Sequence, residues 1–119
     1  MIDYSKKNFT ESEKLEIKTE INKIRLKYPN YIPVFVFPQE KTGLVVNKNK
    51  FLVPKTITVA ELFFSVRKKI EKLRPEEALY YFINNTLVLN SSLIIQIYEE
   101  YKNEEGLLVI TVCKENTFG

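Results

Sequence analysis

The sequence contains no histidine. That removes the commonest general base and the commonest protein metal ligand together. Cysteine is almost as scarce: Cys113 stands alone, so no internal disulfide can form, which fits a reducing cytosol. No run of about 18 apolar residues occurs, so no segment is expected to span a bilayer. There is no glycine-rich phosphate loop and no clustered set of metal ligands, and no cofactor is expected. Met1 to Lys7 has neither an apolar core nor a small-residue cleavage site, so a secretory leader is not expected. Ile2 excludes N-myristoylation, and no prenylation box closes the sequence. Strong charge of one sign is missing too. The net charge is +3, with basic residues interleaved among acids, a distribution that favours solubility over a nucleic-acid groove.

What is present is one domain's worth of chain, 119 residues, enough to close a single core without disulfide or metal. Thr10 to Glu13 fits a capping box. Ile17, Ile21, Ile24 and Tyr28 follow at helical spacing, and Pro29 ends the helix. A short turn is expected near Tyr4 to Lys7. Tyr31 to Phe37 is β-branched and aromatic at both parities, so it predicts a strand covered on both faces. Gln39 to Asn49 predicts a turn around Gly43, with Leu44, Val45 and Val46 on the return. Phe51 to Val53 predicts a second strand stopped by Pro54. Lys48 and Lys50 lead into it as guards against unwanted pairing.

Thr58 to Glu61 is a second capping box, ahead of a stripe of Val59, Leu62, Phe63, Val66 and Ile70. Arg67, Lys68, Lys69 and Lys72 are expected at the end of that helix, where cations suit the macrodipole. Leu79 to Ile83 predicts a third strand, followed by an Asn84-Asn85 turn. Ser91 or Ser92 is expected to cap a last helix carrying Leu93, Ile94, Ile97, Tyr98 and Tyr101, broken by Gly106. Leu107 to Cys113 predicts a fourth strand, and Lys114 to Gly119 a polar tail. A hairpin, a crossing helix and returning strands give a sheet with that helix on one face. The first helix is then free to cover the other. There is no repeat or linker.

Several segments resemble the autophagy ubiquitin-like modifiers, the GABARAP and light-chain-three family. They are Ile24-Arg25-Leu26-Lys27-Tyr28-Pro29-Asn30-Tyr31-Ile32-Pro33-Val34, Lys50-Phe51-Leu52-Val53-Pro54, and Thr58-Val59 through Arg67-Lys68-Lys69-Ile70. Glu77 through Asn85 and the closing Phe118-Gly119 complete the set. The resemblance implies an α+β, ubiquitin-like β-grasp fold with a four-stranded mixed sheet and additional N-terminal helices. It divides the chain into a helical extension over 1–29, a ubiquitin-like domain over 30–113 and a flexible conjugation tail over 114–119.

The same resemblance implies a non-enzymatic modifier. An activating enzyme adenylates the carboxylate of Gly119 and passes it on as a thioester. A conjugating enzyme then transfers it to the amine of phosphatidylethanolamine. Phe118 takes the place of the aromatic residue recognised in processing and conjugation, and a cysteine protease serves deconjugation. Glycine suits the tail because it lacks a Cβ and can thread a narrow active-site tunnel. The protein would be monomeric, cytoplasmic, and on the autophagosome membrane when lipidated. It would meet receptors and adaptors through an extended motif, an aromatic residue followed three positions later by an aliphatic one, added as a strand beside Lys50 to Val53.

By resemblance the aromatic pocket is built from Glu20, Ile24, Pro33, Lys50, Leu52 and Leu107. The aliphatic pocket takes Phe51, Val53, Pro54, Ile57, Leu62, Ser65 and Val66. Lys48, Lys50 and Arg67 attract acidic flanking residues. By residue type alone Ile24, Leu52 and Leu107 read as core, and Arg67, Lys68, Lys69 and Lys72 as a solvated helix face. Two positions depart from the family. Ser65 stands where a bulky aliphatic is usual, and Tyr31 where many relatives are basic.

Rival readings have less behind them. Cys113 lies in an apolar strand with no histidine to activate it, which describes an inert thiol and not a nucleophile. The basic run Arg67-Lys68-Lys69 lacks the aromatic platforms of a nucleic-acid surface. Two alternatives share the fold: a modifier joined to a protein lysine, and a peptide-binding adaptor that is never conjugated.

Overall fold

In the computed structural model, residues 4, 8–39 and 42–114 are described. Their elements run α1 (Glu11–Lys27), β1 (Tyr31–Pro38), β2 (Lys50–Pro54), α2 (Val59–Arg67), β3 (Leu79–Ile83), α3 (Ile94–Tyr101) and β4 (Leu108–Lys114). The strands form one sheet in the order β2-β1-β4-β3. The β1–β2 and β3–β4 pairs are antiparallel, while β1 and β4 run parallel. This is the mixed four-stranded α+β architecture expected of a β-grasp domain.

Both capping boxes form. Thr10 Oγ1 accepts from the Glu13 N–H at 3.1 Å, and Glu13 Oε1 accepts from the Thr10 N–H at 2.9 Å. Thr58 and Glu61 repeat the exchange at 3.2 and 3.1 Å. Each box satisfies donors that a helix start would otherwise leave bare.

The double parity of β1 is explained by its two cores. Ile32, Val34 and Val36 face the main core with Val59, Leu62, Val66, Ile94 and Tyr98. Phe35 faces a second cluster with Tyr4, Ile17, Ile21 and Leu107, where α1 covers the other side of the sheet. Full burial of Ile17 and Ile21 is worth about 1.5–3 kcal/mol apiece.

Three sequence expectations shift where distant backbone competes with local pattern. First, α2 stops at Arg67, so Ile70 is core but not helix. Val46 bridges to Ile70, the Asn47 N–H donates to the Lys69 carbonyl at 2.7 Å, and Glu71 N–H donates to Val45 at 2.9 Å. The returning segment takes the backbone groups another helical turn would need. Lys68 therefore caps α2, and Lys69 and Lys72 lie beyond it. Second, α3 is capped at Leu93 and not at Ser91 or Ser92. The Ser92 carbonyl accepts from Val59 N–H at 2.9 Å, which holds this stretch extended beside residues 57–59, and Gln96 Oε1 accepts from the Leu93 N–H at 3.0 Å. Third, α3 has already ended at Tyr101 before Gly106, and Gly106 serves the turn into β4.

Gly106 is required there. Its φ of +89° belongs to the left-handed region, and a Cβ would meet Ile21 Cγ2 at 3.2 Å and the Tyr98 hydroxyl at 3.4 Å. Its carbonyl accepts from the Tyr98 hydroxyl, which in turn accepts from Arg25 Nη1 at 3.0 Å, so the turn ties α1 to α3. Gly106→Ala is expected to destabilise the domain by about 1–3 kcal/mol through backbone strain and crowding. The midpoint of urea unfolding checks this, and an unchanged midpoint would mean the turn relaxes freely.

Candidate functional site

Strand β2 lies at one end of the sheet, so among the described residues one of its two backbone edges faces no strand. Its register with β1 sorts the side chains. Leu52 lies opposite Pro33 and Lys50 opposite Phe35, while Phe51 and Val53 pair with Val34 and Ile32. Successive residues of a strand point to opposite faces. Lys50 and Leu52 therefore share the α1 face, and Phe51 and Val53 the main core.

Between α1 and this edge runs an apolar groove of about 170 Å³. Glu20, Ile24, Pro33, Lys50, Leu52 and Leu107 all line it, so the structure brings together every residue assigned to the aromatic pocket. It also adds residues that the sequence reading did not place there: Tyr4, Ile21, Tyr28, Val34, Phe35 and Phe51. Of these, Tyr28 meets Tyr31 in an edge-on ring contact at 6.2 Å. The helical stripe pointed to Ile21 and Tyr28, but as core and helix end. Nothing local pointed to Tyr4. Leu52 is 38% exposed, an aliphatic side chain left uncovered beside a groove.

The residues assigned to the aliphatic pocket are arranged differently. Leu62 and Val66 have no exposed surface, and Phe51 and Val53 sit in the main core. Only Pro54, Ile57 and Ser65 offer surface there. As it stands, an incoming side chain has no access to Leu62 or Val66. The Ser65 hydroxyl donates to the Glu61 carbonyl at 3.2 Å, within its own helix.

The charges separate as well. Lys48 Nζ lies 5.0 Å over the Phe51 ring and Lys50 Nζ 4.6 Å over the Tyr4 ring, both beside β2. Arg67 is elsewhere. Its guanidinium donates to the carbonyls of Glu77 at 2.7 Å, Arg74 at 3.2 Å and Pro75 at 3.3 Å, and it borders β3 at the opposite end of the sheet. Arg67 thus staples a turn, and its grouping with Lys48 and Lys50 is corrected. The same turn holds the Glu77 carboxyl below its ordinary range, through the Arg74 amide first and Lys114 next.

Cys113 is buried, and burial pushes its thiol up, away from the reactive thiolate. Among the described residues no group of histidine, cysteine or acidic side chains could hold a metal ion, and no helix is long and apolar enough to cross a membrane.

A family profile described as "Autophagy protein Atg8 ubiquitin like" matches residues 16–119. The chain belongs to the Atg8 family. It is similar to Autophagy-related protein 8 of Schizosaccharomyces pombe, with 45% identity over 103 residues, 86% of this chain and 84% of that protein. The Dictyostelium discoideum protein of the same name is 41% identical over 114 residues, 94% of this chain and 93% of the relative. In three dimensions it resembles the crystal structure of Trypanosoma brucei ATG8, with a TM-score of 0.81, 26% identity and 97% of each chain covered. It also resembles Plasmodium falciparum Atg8 in complex with a Plasmodium falciparum Atg3 peptide, with a TM-score of 0.75, 30% identity, and 85% of this chain and 92% of that one covered. Atg8 proteins are ubiquitin-like modifiers of autophagy, conjugated to phosphatidylethanolamine and able to bind motif peptides, and they are not enzymes.

Proposed function

We propose that this chain is joined through Gly119 to phosphatidylethanolamine and recruits autophagy receptors and adaptors along β2. Phe118 and Gly119 lie outside the described residues, so the support for the conjugation step is the family membership, whose profile match extends through the Phe118-Gly119 pair. The activating and conjugating enzymes would hand Gly119 from adenylate to thioester to lipid amine, and a cysteine protease would reverse the bond. The protein would be cytoplasmic before this step and on autophagosomal membrane after it.

The observation that carries the recruitment reading is the apolar groove beside the edge of β2 that no described strand pairs. An extended peptide can pair its backbone with that edge and set an aromatic side chain between Ile24, Pro33, Leu52 and Leu107. That the Plasmodium falciparum relative is known in complex with an Atg3 peptide supports peptide binding by this chain. The peptide's aliphatic residue would lie over Pro54, Ile57 and Ser65, the exposed members of the second set. Lys48 and Lys50 would draw acidic flanking residues to this edge.

Calorimetric titration with an aromatic-x-x-aliphatic peptide flanked by acids tests this. Lys50→Ala is expected to weaken binding by about 0.5–1 kcal/mol at low salt, and the difference should fade near 1 M salt, where the Debye length falls to about 3 Å. A salt-independent loss would mean that Lys50 acts by packing and not by charge.

A further inference from the structure

Among the described residues that line the groove, Glu20 is the one acidic side chain, on a wall otherwise apolar apart from Lys50 and tyrosine hydroxyls. It is long and exposed on α1, yet it is held: the Tyr4 hydroxyl donates to Glu20 Oε2 at 2.8 Å. Tyr4 is fixed in its turn. Its ring stacks on Phe35 with centroids 5.4 Å apart, Lys50 Nζ lies 4.6 Å over it, and it is only 8% exposed. Burial first, and then Glu20, push the Tyr4 phenol up to about 12, so it stays a donor throughout the neutral range. A carboxylate offers about four lone-pair sites. The bond from Tyr4 uses one and leaves acceptor capacity at the groove.

We propose that Tyr4 is a positioning residue for the groove's choice of aromatic anchor: by holding the Glu20 carboxylate at the wall, it presents a fixed acceptor to an anchor with a ring N–H, an indole, and gives no such help to a phenyl ring. The inference rests on the groove being the peptide site. A glutamate free to rotate loses rotamer entropy when it receives a ligand donor. Here that ordering is done in advance by Tyr4, which is the general advantage of a preorganised site.

The test uses the full chain and two peptides that differ only in Trp or Phe at the anchor. Tyr4→Phe keeps the ring against Phe35 and beneath Lys50 and removes the hydroxyl alone. The Trp peptide is expected to bind roughly five-fold more weakly to this variant, the scale of one net hydrogen bond. The Phe peptide should bind as it does to the wild-type chain. In a Glu20→Ala background, Tyr4→Phe should change neither peptide further. Equal loss for both peptides would make Tyr4 a mere wall, and tighter Trp binding would make it a competitor for Glu20; either overturns the proposal. If neither peptide binds the wild-type chain, the groove reading itself falls and takes this one with it.

Discussion

Replacing Gly119 by Ala is expected to abolish lipid attachment while leaving the domain folded. The last described strand ends at Lys114, so the substitution lies beyond every described element. The effect should be large because little else would hold the chain on a membrane. Each acyl chain of a conjugated lipid contributes about 0.8 kcal/mol per buried methylene. A lysine near an anionic surface adds only about 1 kcal/mol, and the net charge here is +3. No described helix can insert by itself. Flotation of membranes from cells expressing the variant should leave it entirely in the soluble fraction. A Gly119→Ala chain that still floats would place membrane attachment elsewhere.

The second large effect is expected at Leu52. This side chain borders the groove, lies opposite Pro33, and is 38% exposed in the free chain. A bound aromatic anchor would bury that surface. Leu52→Ala should therefore weaken motif peptides by about 1–3 kcal/mol, or roughly five- to 150-fold in Kd. Stability should change little, since the leucine is not part of either core cluster. Phe51 is the poorer probe. It belongs to the main core, and Phe51→Ala is expected to cost about 3–5 kcal/mol of folding free energy before any peptide is considered. Calorimetry on Leu52→Ala, with urea unfolding as the control, separates binding from folding. Unchanged affinity in a stable Leu52→Ala chain would move the peptide site away from this edge.

Which features were legible in the sequence follows from how local their causes are. Both capping boxes act within four residues, so Thr10 and Thr58 could be read directly. The double parity of β1 was a statement about both of its faces, and α1 and α2 answer it. The end of α2 was not readable from the Ile70 spacing, because it is decided by Val45 to Asn47, more than a helix length away in the chain. The start of α3 is likewise set by residues 57–59. The groove lies between these cases. Ile24, Leu52 and Leu107 have core chemistry, and only the β1–β2 register shows that they meet at an edge. A long connection joins those strands, so no tight-turn rule fixed the register. Their grouping came from family likeness, which also assigned Arg67 to the peptide although its guanidinium is committed to the 74–77 turn. Tyr4 joins the groove through Phe35, Glu20 and Lys50, contacts that no sequence period encodes.

A peptide-binding ubiquitin-like domain is thus expected to be carried on a membrane by a covalent bond from Gly119 to a lipid. The most direct test is the mass of the chain recovered from autophagosomal membranes, with fragmentation of its C-terminal peptide. The expected result is a Gly119 carbonyl in amide linkage to the amine of phosphatidylethanolamine, trimmed to a glycyl ethanolamide by phospholipase D and hydrolysed to the free Gly119 carboxylate by the deconjugating cysteine protease. A membrane-bound chain with a free Gly119, or one joined through Gly119 to a protein lysine, would contradict it.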